Sequence, residues 1–226
     1  MYLMGAGKTG AHFFEVRVNF IDRLICDFDQ GLRTLAAMPY AQRPNPANEV
    51  TNSSEICAQD KAQAVRLMRV NHCGEICAQA LYQGQALMAR DLSTRKMLLQ
   101  AAREENDHLA WCQQRLDDLG GKKSALNLFW YAGSFGFGVV SGALGDKWSM
   151  GFLVETERQV EHHLDDHLTL LPVSDVKSHR VLEAMREDEI RHGNSGEQHG
   201  AMPLPQPIVA AMHFASRLMT RTAYWV

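Results

Sequence analysis

Two glutamate–histidine pairs have the residue types and the spacing to hold a metal ion. Glu105 and His108 form one Glu-x-x-His motif, and Glu189 and His192 form a second. On an α-helix, residues three apart share a face, so each pair can direct a carboxylate and an imidazole toward one ion. One copy of so short a motif would carry little weight, because most such pairs lie on solvated helix faces.

The surroundings of both motifs favour ligands over a solvated face. Apolar residues recur every three or four positions around each motif, with Leu98 and Leu109 flanking the first and Leu182 and Met185 preceding the second. Glutamate and histidine therefore interrupt faces that are otherwise buried. Because a buried charge is unfavourable unless it is paired or bound to a metal, these positions predict metal ligands.

Each motif also has a partner glutamate one helix earlier. Glu75 precedes Glu105 by 30 residues, and Glu157 precedes Glu189 by 32 residues. The midpoint of each pair falls in a predicted turn, which in the second case lies beside Pro172. At 1.5 Å per residue, both members of a pair stand roughly 22–24 Å from their turn, at the same level. The sequence therefore predicts the same ligand hairpin twice.

Two such hairpins would place four carboxylates and two imidazoles at one level of a bundle. Ferritin-like di-iron and di-manganese proteins have this arrangement, and oxygen and imidazole donors suit iron or manganese. We predict an all-α fold, a ferritin-like four-helix bundle built from two ligand-bearing hairpins, with two iron ions per chain. The predicted metal ligands are Glu75, Glu105, His108, Glu157, Glu189 and His192. Glu155 is the rival candidate for the place of Glu157.

Four segments of the chain resemble the demethoxyubiquinone hydroxylases, which are di-iron monooxygenases of ubiquinone biosynthesis. The segments are Arg69–Glu75, Glu104–Leu109, Val154–Glu157 and Asp188–His192, and the resemblance covers roughly residues 60–226. It implies hydroxylation of the ring of 2-polyprenyl-3-methyl-6-methoxy-1,4-benzoquinol, with the same six ligands. His163 matches a histidine of that family near the metal site, which implies a supporting role behind the ligands. Some members have a tyrosine after it, where this chain has Leu164.

The resemblance also implies partners for the reaction. They are the polyprenyl benzoquinol, O₂, an electron donor for which NADH is a candidate, and other proteins of ubiquinone biosynthesis. The net charge of −3 gives no indication of nucleic acid. The alternative functions are a ferritin-like iron-storage or peroxide-scavenging protein, which predicts a uniformly polar exterior, and a non-catalytic quinone-binding scaffold, which needs no iron.

The elements that must position these residues are helical. Residues 1–60 are predicted to form an N-terminal helix, from about Val16 to Ala37, and a Pro/Asn-rich linker from Pro39 to Asn52. Residues 61–226 are predicted to form the ferritin-like domain. Its ligand helices are predicted at about 61–89, 93–119, 148–171 and 174–196, and Ser174 is predicted to cap the last.

Two further stretches indicate contact with a membrane surface. Residues 124–145 carry no charge and are long enough to span a bilayer, but a span would put the two hairpins on opposite sides. We therefore predict a crossover at the interface. Residues 208–226 are predicted to form an amphipathic helix with basic residues and terminal aromatics. Five cysteines without a Cys-x-x-Cys pair, and no long apolar N-terminal core, favour a reducing compartment. We expect a peripheral protein on the cytoplasmic side of the cell inner membrane.

Overall fold

The computed structural model describes residues 20–50 and 55–226, and all regular structure in these ranges is helical. The helices are α1 (Phe20–Ala36), α2 (Ala58–Met88), α3 (Leu92–Asp118), α4 (Asn127–Ala143), α5 (Asp146–Leu170), α6 (Val176–Gln198) and α7 (Gln206–Trp225). A short 3₁₀ helix, Pro46–Glu49, lies between α1 and α2. The predicted all-α fold is confirmed. Residues 16–19 of the predicted first helix and residues 51–52 of the predicted linker lie outside the described ranges.

Two helical hairpins form the ferritin-like bundle. Helix α2 packs along α3, α5 packs along α6, and the hairpins meet where α2 contacts α5 and α3 contacts α6. The turn of the first hairpin lies between Met88 and Leu92, where Asp91 caps α3 by accepting a hydrogen bond from the Thr94 N–H at 2.9 Å. Four helices with two such turns bring the predicted ligand positions to one level of the bundle, so the four-helix bundle is confirmed.

The cap of α6 differs by one residue from the prediction, which placed it at Ser174. Asp175 is the N-cap, and its Oδ1 accepts a hydrogen bond from the Ser178 N–H at 3.1 Å. The same carboxylate is held by Arg115 from α3, with 2.7 Å between Arg115 Nη2 and Asp175 Oδ1. Both residues can cap a helix by type, but only Asp175 is in position to bind the backbone and Arg115 together.

Helix α4 connects the two hairpins and packs along α2 through glycines. A Cβ atom on Gly138 would overlap the carbonyl oxygen of Leu81, and one on Gly84 would overlap the carbonyl oxygen of Phe135. A Cβ atom on Gly142 would lie 2.9 Å from Met88 Cβ. The uncharged run of residues 124–145 is therefore a crossover whose backbone lies close against α2. In the described part of the chain, no helix has both the length and the apolar character needed to cross a membrane.

Helices α1 and α7 complete the covering of α2. Ala223 of α7 is buried against Val70 and Cys73 of α2. From α1, the Thr34 hydroxyl donates a hydrogen bond to Gln79 Oε1 of α2 at 2.8 Å. Helix α2 is consequently enclosed on nearly all sides, with the predicted ligand Glu75 buried on it and close helix packing on the side that faces α4.

The contact between α2 and α4 leads to a stability prediction for Gly138→Ala. Its methyl group would meet the backbone of α2, so we expect a loss of about 1–3 kcal/mol in the free energy of unfolding. The matched control is Gly133→Ala in the same helix, where nothing lies within 4 Å of the added Cβ atom. That change should stabilise the helix by up to about 1 kcal/mol. Urea unfolding measures both, and equal effects would contradict the close packing.

Candidate metal centre

The six predicted ligands meet inside the bundle, and none is more than 7% exposed. Helices α2 and α5 supply one glutamate each, and α3 and α6 supply one Glu-x-x-His motif each. Their ligand atoms form two groups, and within each group all four atoms lie within 4.8 Å of one another. The first group, here the His108 half, is Glu75, Glu105, His108 and Glu189. The second, the His192 half, is Glu105, Glu157, Glu189 and His192.

Glu105 and Glu189 belong to both halves. Glu105 Oε2 lies 2.9 Å from His108 Nδ1, and Glu105 Oε1 lies 3.3 Å from His192 Nδ1. Glu189 divides its oxygens in the same way, with Oε1 at 3.2 Å from His108 Nδ1 and Oε2 at 3.4 Å from His192 Nδ1. Each carboxylate thus offers one oxygen to each half of the site.

Glu75 and Glu157 each belong to one half only. Glu75 Oε2 lies 3.4 Å from His108 Nδ1, and Glu157 Oε1 lies 3.7 Å from His192 Nδ1. The buried Tyr82 hydroxyl donates a hydrogen bond to Glu157 Oε1. Tyr82 lies two helical turns after Glu75 on α2, and this spacing was the signal in the sequence that could have indicated it.

The outward nitrogen of each histidine faces a further carboxylate, and the pairing is crossed between helices. His108 Nε2 of α3 lies 2.9 Å from Asp188 Oδ2 of α6, and His192 Nε2 of α6 lies 2.7 Å from Glu104 Oε2 of α3. With Nε2–H donating to the carboxylate, each imidazole turns its Nδ1 lone pair toward the centre. Neither Asp188 nor Glu104 is among the ligands predicted from the sequence. The available signal was an acidic residue directly before the glutamate of each Glu-x-x-His motif.

The structure also separates the remaining candidates. Glu155 accepts a hydrogen bond from Gln159 at 2.8 Å and lies 3.7 Å from His213 of α7, so Glu157 and not Glu155 reaches the cluster. His163 lines a cavity of about 40 Å³ together with Glu75, and its buried Nε2 has no hydrogen-bond partner. Burial lowers the pKa of His163 to about 4, which makes it neutral near pH 7. Its supporting role stays a prediction.

The donor set fits two divalent ions. One oxygen each of Glu105 and Glu157, both oxygens of Glu189, and Nδ1 of His192 are buried without a hydrogen-bond partner. Buried polar atoms are rarely left unpaired, and leaving several carboxylate oxygens unpaired in one place is strongly unfavourable. Bound cations would satisfy them. Carboxylate and imidazole donors match first-row divalent metals, among them iron.

Burial and neighbouring charges determine which groups of the metal-free cluster carry protons. Burial raises the pKa of Glu75 well above the usual range, and the charges of Glu105 and Glu189 raise it further. Burial and the same two neighbours also raise the pKa of Glu157. Although burial opposes it, hydrogen bonds to carboxylates raise the pKa of His108 well above the usual value. In the absence of metal, protons therefore take the place of cations among these carboxylates.

Fold and site together define a metal-binding carboxylate protein of the ferritin-like class. Residues 62–223 match the model of a family described as "Ubiquinone biosynthesis protein COQ7". The chain belongs to this COQ7 family, as the resemblance in its sequence implied. The family is one of iron enzymes, and the buried clusters could hold metal ions.

Curated relatives extend the similarity over nearly the whole chain. One is named 3-demethoxyubiquinol 3-hydroxylase, from Ralstonia pickettii (strain 12J); it is 54% identical over 214 residues, covering 90% of this chain and 99% of the relative. The protein of the same name from Nitrosomonas europaea is 54% identical over 206 residues, covering 91% of this chain and 99% of the relative. A third, from Chromobacterium violaceum, is 50% identical, covering 91% and 100%. The chain is accordingly a hydroxylase of ubiquinone biosynthesis.

The protonated cluster predicts that metal binding releases protons. Since the pKa values of Glu75, Glu157, His108 and His192 are raised, these groups hold protons near pH 7 that a divalent ion must displace. Apparent Mn²⁺ affinity should therefore rise by about tenfold or more per pH unit between pH 6 and 8. Titration of the metal-free protein in weak buffer measures the released protons directly.

Glu155→Gln is the matched control for this titration, because Glu155 lies on α5 outside the cluster. It should release as many protons as the wild type. An affinity for Mn²⁺ that does not change between pH 6 and 8 would contradict the charge balance described for the cluster.

Proposed function

We propose that this hydroxylase acts on 3-demethoxyubiquinol, which is 2-polyprenyl-3-methyl-6-methoxy-1,4-benzoquinol. It hydroxylates the ring of this compound with O₂ and two iron ions per chain. The observation that carries the proposal is the pair of shared carboxylates, Glu105 and Glu189, which offer one oxygen to each half of the site. The name of the relatives, 3-demethoxyubiquinol 3-hydroxylase, supports this substrate. Bound at these residues, two iron ions would supply the oxidising power that places an oxygen atom from O₂ on the electron-rich ring.

The protein's own contribution is to fix the ligands and to keep water away. Glu105 and Glu189 hold the two halves together, while Asp188 and Glu104 fix the two imidazoles from behind. The enclosing helices leave the ligand set almost without solvent contact. A water-poor interior strengthens electrostatic interactions and protects an oxidising centre from side reactions.

The reaction also requires electrons and protons from outside the ring. One atom of O₂ enters the ring and the other leaves as water, so a donor must supply two electrons and two protons. NADH is a candidate donor. His163, which is neutral near pH 7, lies on the cavity beside Glu75, between α2, α5 and α7.

The outward faces of helices α4 and α7 do not suit the alternative of an iron-storage protein. The outer stripe of α4 includes Phe129 and Val140, which are 67% and 61% exposed, and Leu144 continues it. On α7, Phe214 and Trp225 are similarly exposed. An iron-storage protein is expected to have a polar exterior. Exposed apolar stripes of this kind suit a protein that binds a lipid-soluble substrate.

We place the protein on the cytoplasmic face of the inner membrane as a peripheral protein. Helices α4, α7 and α1 all pack against α2, and α1 adds a third outward apolar stripe. The exposed members of the α1 stripe are Ile21, Leu24, Ile25, Phe28 and Leu32. Exposed Arg217 and Arg221 on α7 add charge that favours anionic lipid. The five free cysteines are consistent with a reducing compartment.

The substrate assignment predicts the quinones of a strain that lacks the gene. We expect the demethoxy quinone to accumulate and ubiquinone to be lost, as measured by mass spectrometry of lipid extracts. The wild-type gene should restore ubiquinone. Glu189→Ala should not restore it, because that change removes a carboxylate from both halves of the site. Purified, reconstituted wild-type protein should contain about two irons per chain.

Glu155→Ala is the control for this complementation, and it should restore ubiquinone because Glu155 lies outside the cluster. A normal quinone profile in the deletion strain, with no second hydroxylase present, would refute the substrate. Reconstituted protein that holds one zinc and no iron would refute the metal.

The membrane assignment predicts the effect of Phe129→Asp on lipid binding. Phe129 is exposed in the protein and would be buried in the membrane, where its side chain contributes roughly 1.5–3 kcal/mol to binding. Its loss should weaken binding to vesicles of mixed anionic and zwitterionic phospholipid by about tenfold or more. Phe129 is a better choice than Phe137, whose ring packs edge-on against the buried Phe152 at 5.2 Å. Co-sedimentation with vesicles measures the change.

Val173→Asp is the matched control, because Val173 is 90% exposed in the turn between α5 and α6, outside the three stripes. It should leave vesicle binding within about twofold, and both variants should keep their stability as surface changes do. Equal losses in the two variants, or none in either, would refute the placement of α4 on the membrane.

A further inference from the structure

The connection between α1 and α2 lies against the two helices that carry the Glu-x-x-His motifs. Its backbone is tied to α3, where the Gln42 N–H donates to Asp107 Oδ1 at 2.6 Å and Asn106 donates to the Tyr40 carbonyl oxygen at 2.7 Å. The 3₁₀ helix of the same connection packs against α6. A segment that reads in sequence as a Pro/Asn-rich linker is thus bound beside the metal site.

Arg43 is the residue of this connection that reaches farthest toward the site. Its Nε lies 2.8 Å from Asp107 Oδ2, and its Nη2 lies 2.6 Å from Asp188 Oδ2. The guanidinium group stacks over the Trp111 ring at 4.8 Å, and Trp111 Nε1 donates to the Arg43 carbonyl oxygen at 3.4 Å. Arg43 therefore has a defined position, fixed by two carboxylates and an aromatic face.

Asp188 Oδ2 is the atom that links Arg43 to the metal site. It accepts from Arg43 Nη2 and also lies 2.9 Å from His108 Nε2, while Oδ1 of the same carboxylate lies 2.6 Å from Arg191 Nη1. Two guanidinium groups therefore hold the Asp188 carboxylate, and that carboxylate holds the His108 ring. The ring in turn directs Nδ1 toward the three glutamates of its half.

The two halves of the site differ in whether the α1–α2 connection supports them. Behind His192 stands Glu104, which is held at 3.4 Å by Arg191 and receives no contact from the α1–α2 connection among those described. Arg43 thus serves the His108 half alone. Carboxylates behind a metal-binding histidine fix its orientation, and their loss usually weakens metal binding by about 10–100-fold.

We propose that Arg43 is a positioning residue for His108: it holds Asp188 in place and so completes one of the two metal positions from outside the bundle. Arg43 precedes the residues 62–223 that the family model matches. The inference rests on the two-metal site of the proposed function, and its prediction is a selective loss at one position.

The test is anaerobic titration of the metal-free protein with Co²⁺, followed by its visible absorption. Wild-type protein should bind two equivalents. In Arg43→Gln, one equivalent should bind about 10–100-fold more weakly while the other keeps its affinity. Asp188→Asn should show the same selective loss, and combining it with Arg43→Gln should add little, since both changes act through one contact. Arg43→Lys, which keeps the charge, should recover part of the affinity.

Asn45→Ala is the structural control, because Asn45 fastens the same connection to Gln114 at 2.9 Å without touching Asp188. It should lower the thermal midpoint of the metal-free protein and leave both Co²⁺ affinities unchanged. Unaltered binding in Arg43→Gln would overturn the proposal, and so would an equal loss at both positions that Asn45→Ala reproduces. Wild-type protein that binds fewer than two equivalents would instead refute the two-metal site itself.

Discussion

The burial of four carboxylates at one level of a helical bundle is the constraint on which the rest of this structure depends. Carboxylates so close together repel one another, and water is not available to screen them. They can remain only where positive charge lies among them. Protons and the two histidines provide it in the metal-free protein, and bound cations would take their place. The equal arms of the hairpins, the shared Glu105 and Glu189, and the inward Nδ1 atoms all follow from this requirement.

Charge alternates outward from the centre in successive shells. The buried glutamates and imidazoles form the centre, Asp188 and Glu104 stand behind the imidazoles, and arginines stand behind those two carboxylates. The exposed fraction rises along the same path, from 6% for the Asp188 side chain to 38% for Arg43 and 57% for Arg191. Along this path, each buried charged group is therefore paired with a group of opposite charge that is closer to solvent.

The sequence predicted those parts of the protein that depend on helical period. Ligand helices, their turns and the meeting of six side chains all follow from positions three or four residues apart and from equal arm lengths. The crossed pairs His108–Asp188 and His192–Glu104 depend on how α3 and α6 are rotated against each other. The apolar period within a single helix does not specify that rotation. Arg43 was beyond reach for a related reason, because the path of a connection across a bundle leaves no repeating pattern in the chain.

The glycine contact between α4 and α2 sets the depth of the reaction site below the protein surface. Glu75 lies on α2, and α4 covers α2 with its backbone drawn close by Gly84 and Gly138. A helix with its side chains is about 10–12 Å across, so roughly one such thickness separates the outer apolar stripe of α4 from the helix that carries Glu75. On the proposed placement of α4 against lipid, a quinol ring would cross at least about that distance before it reached α2.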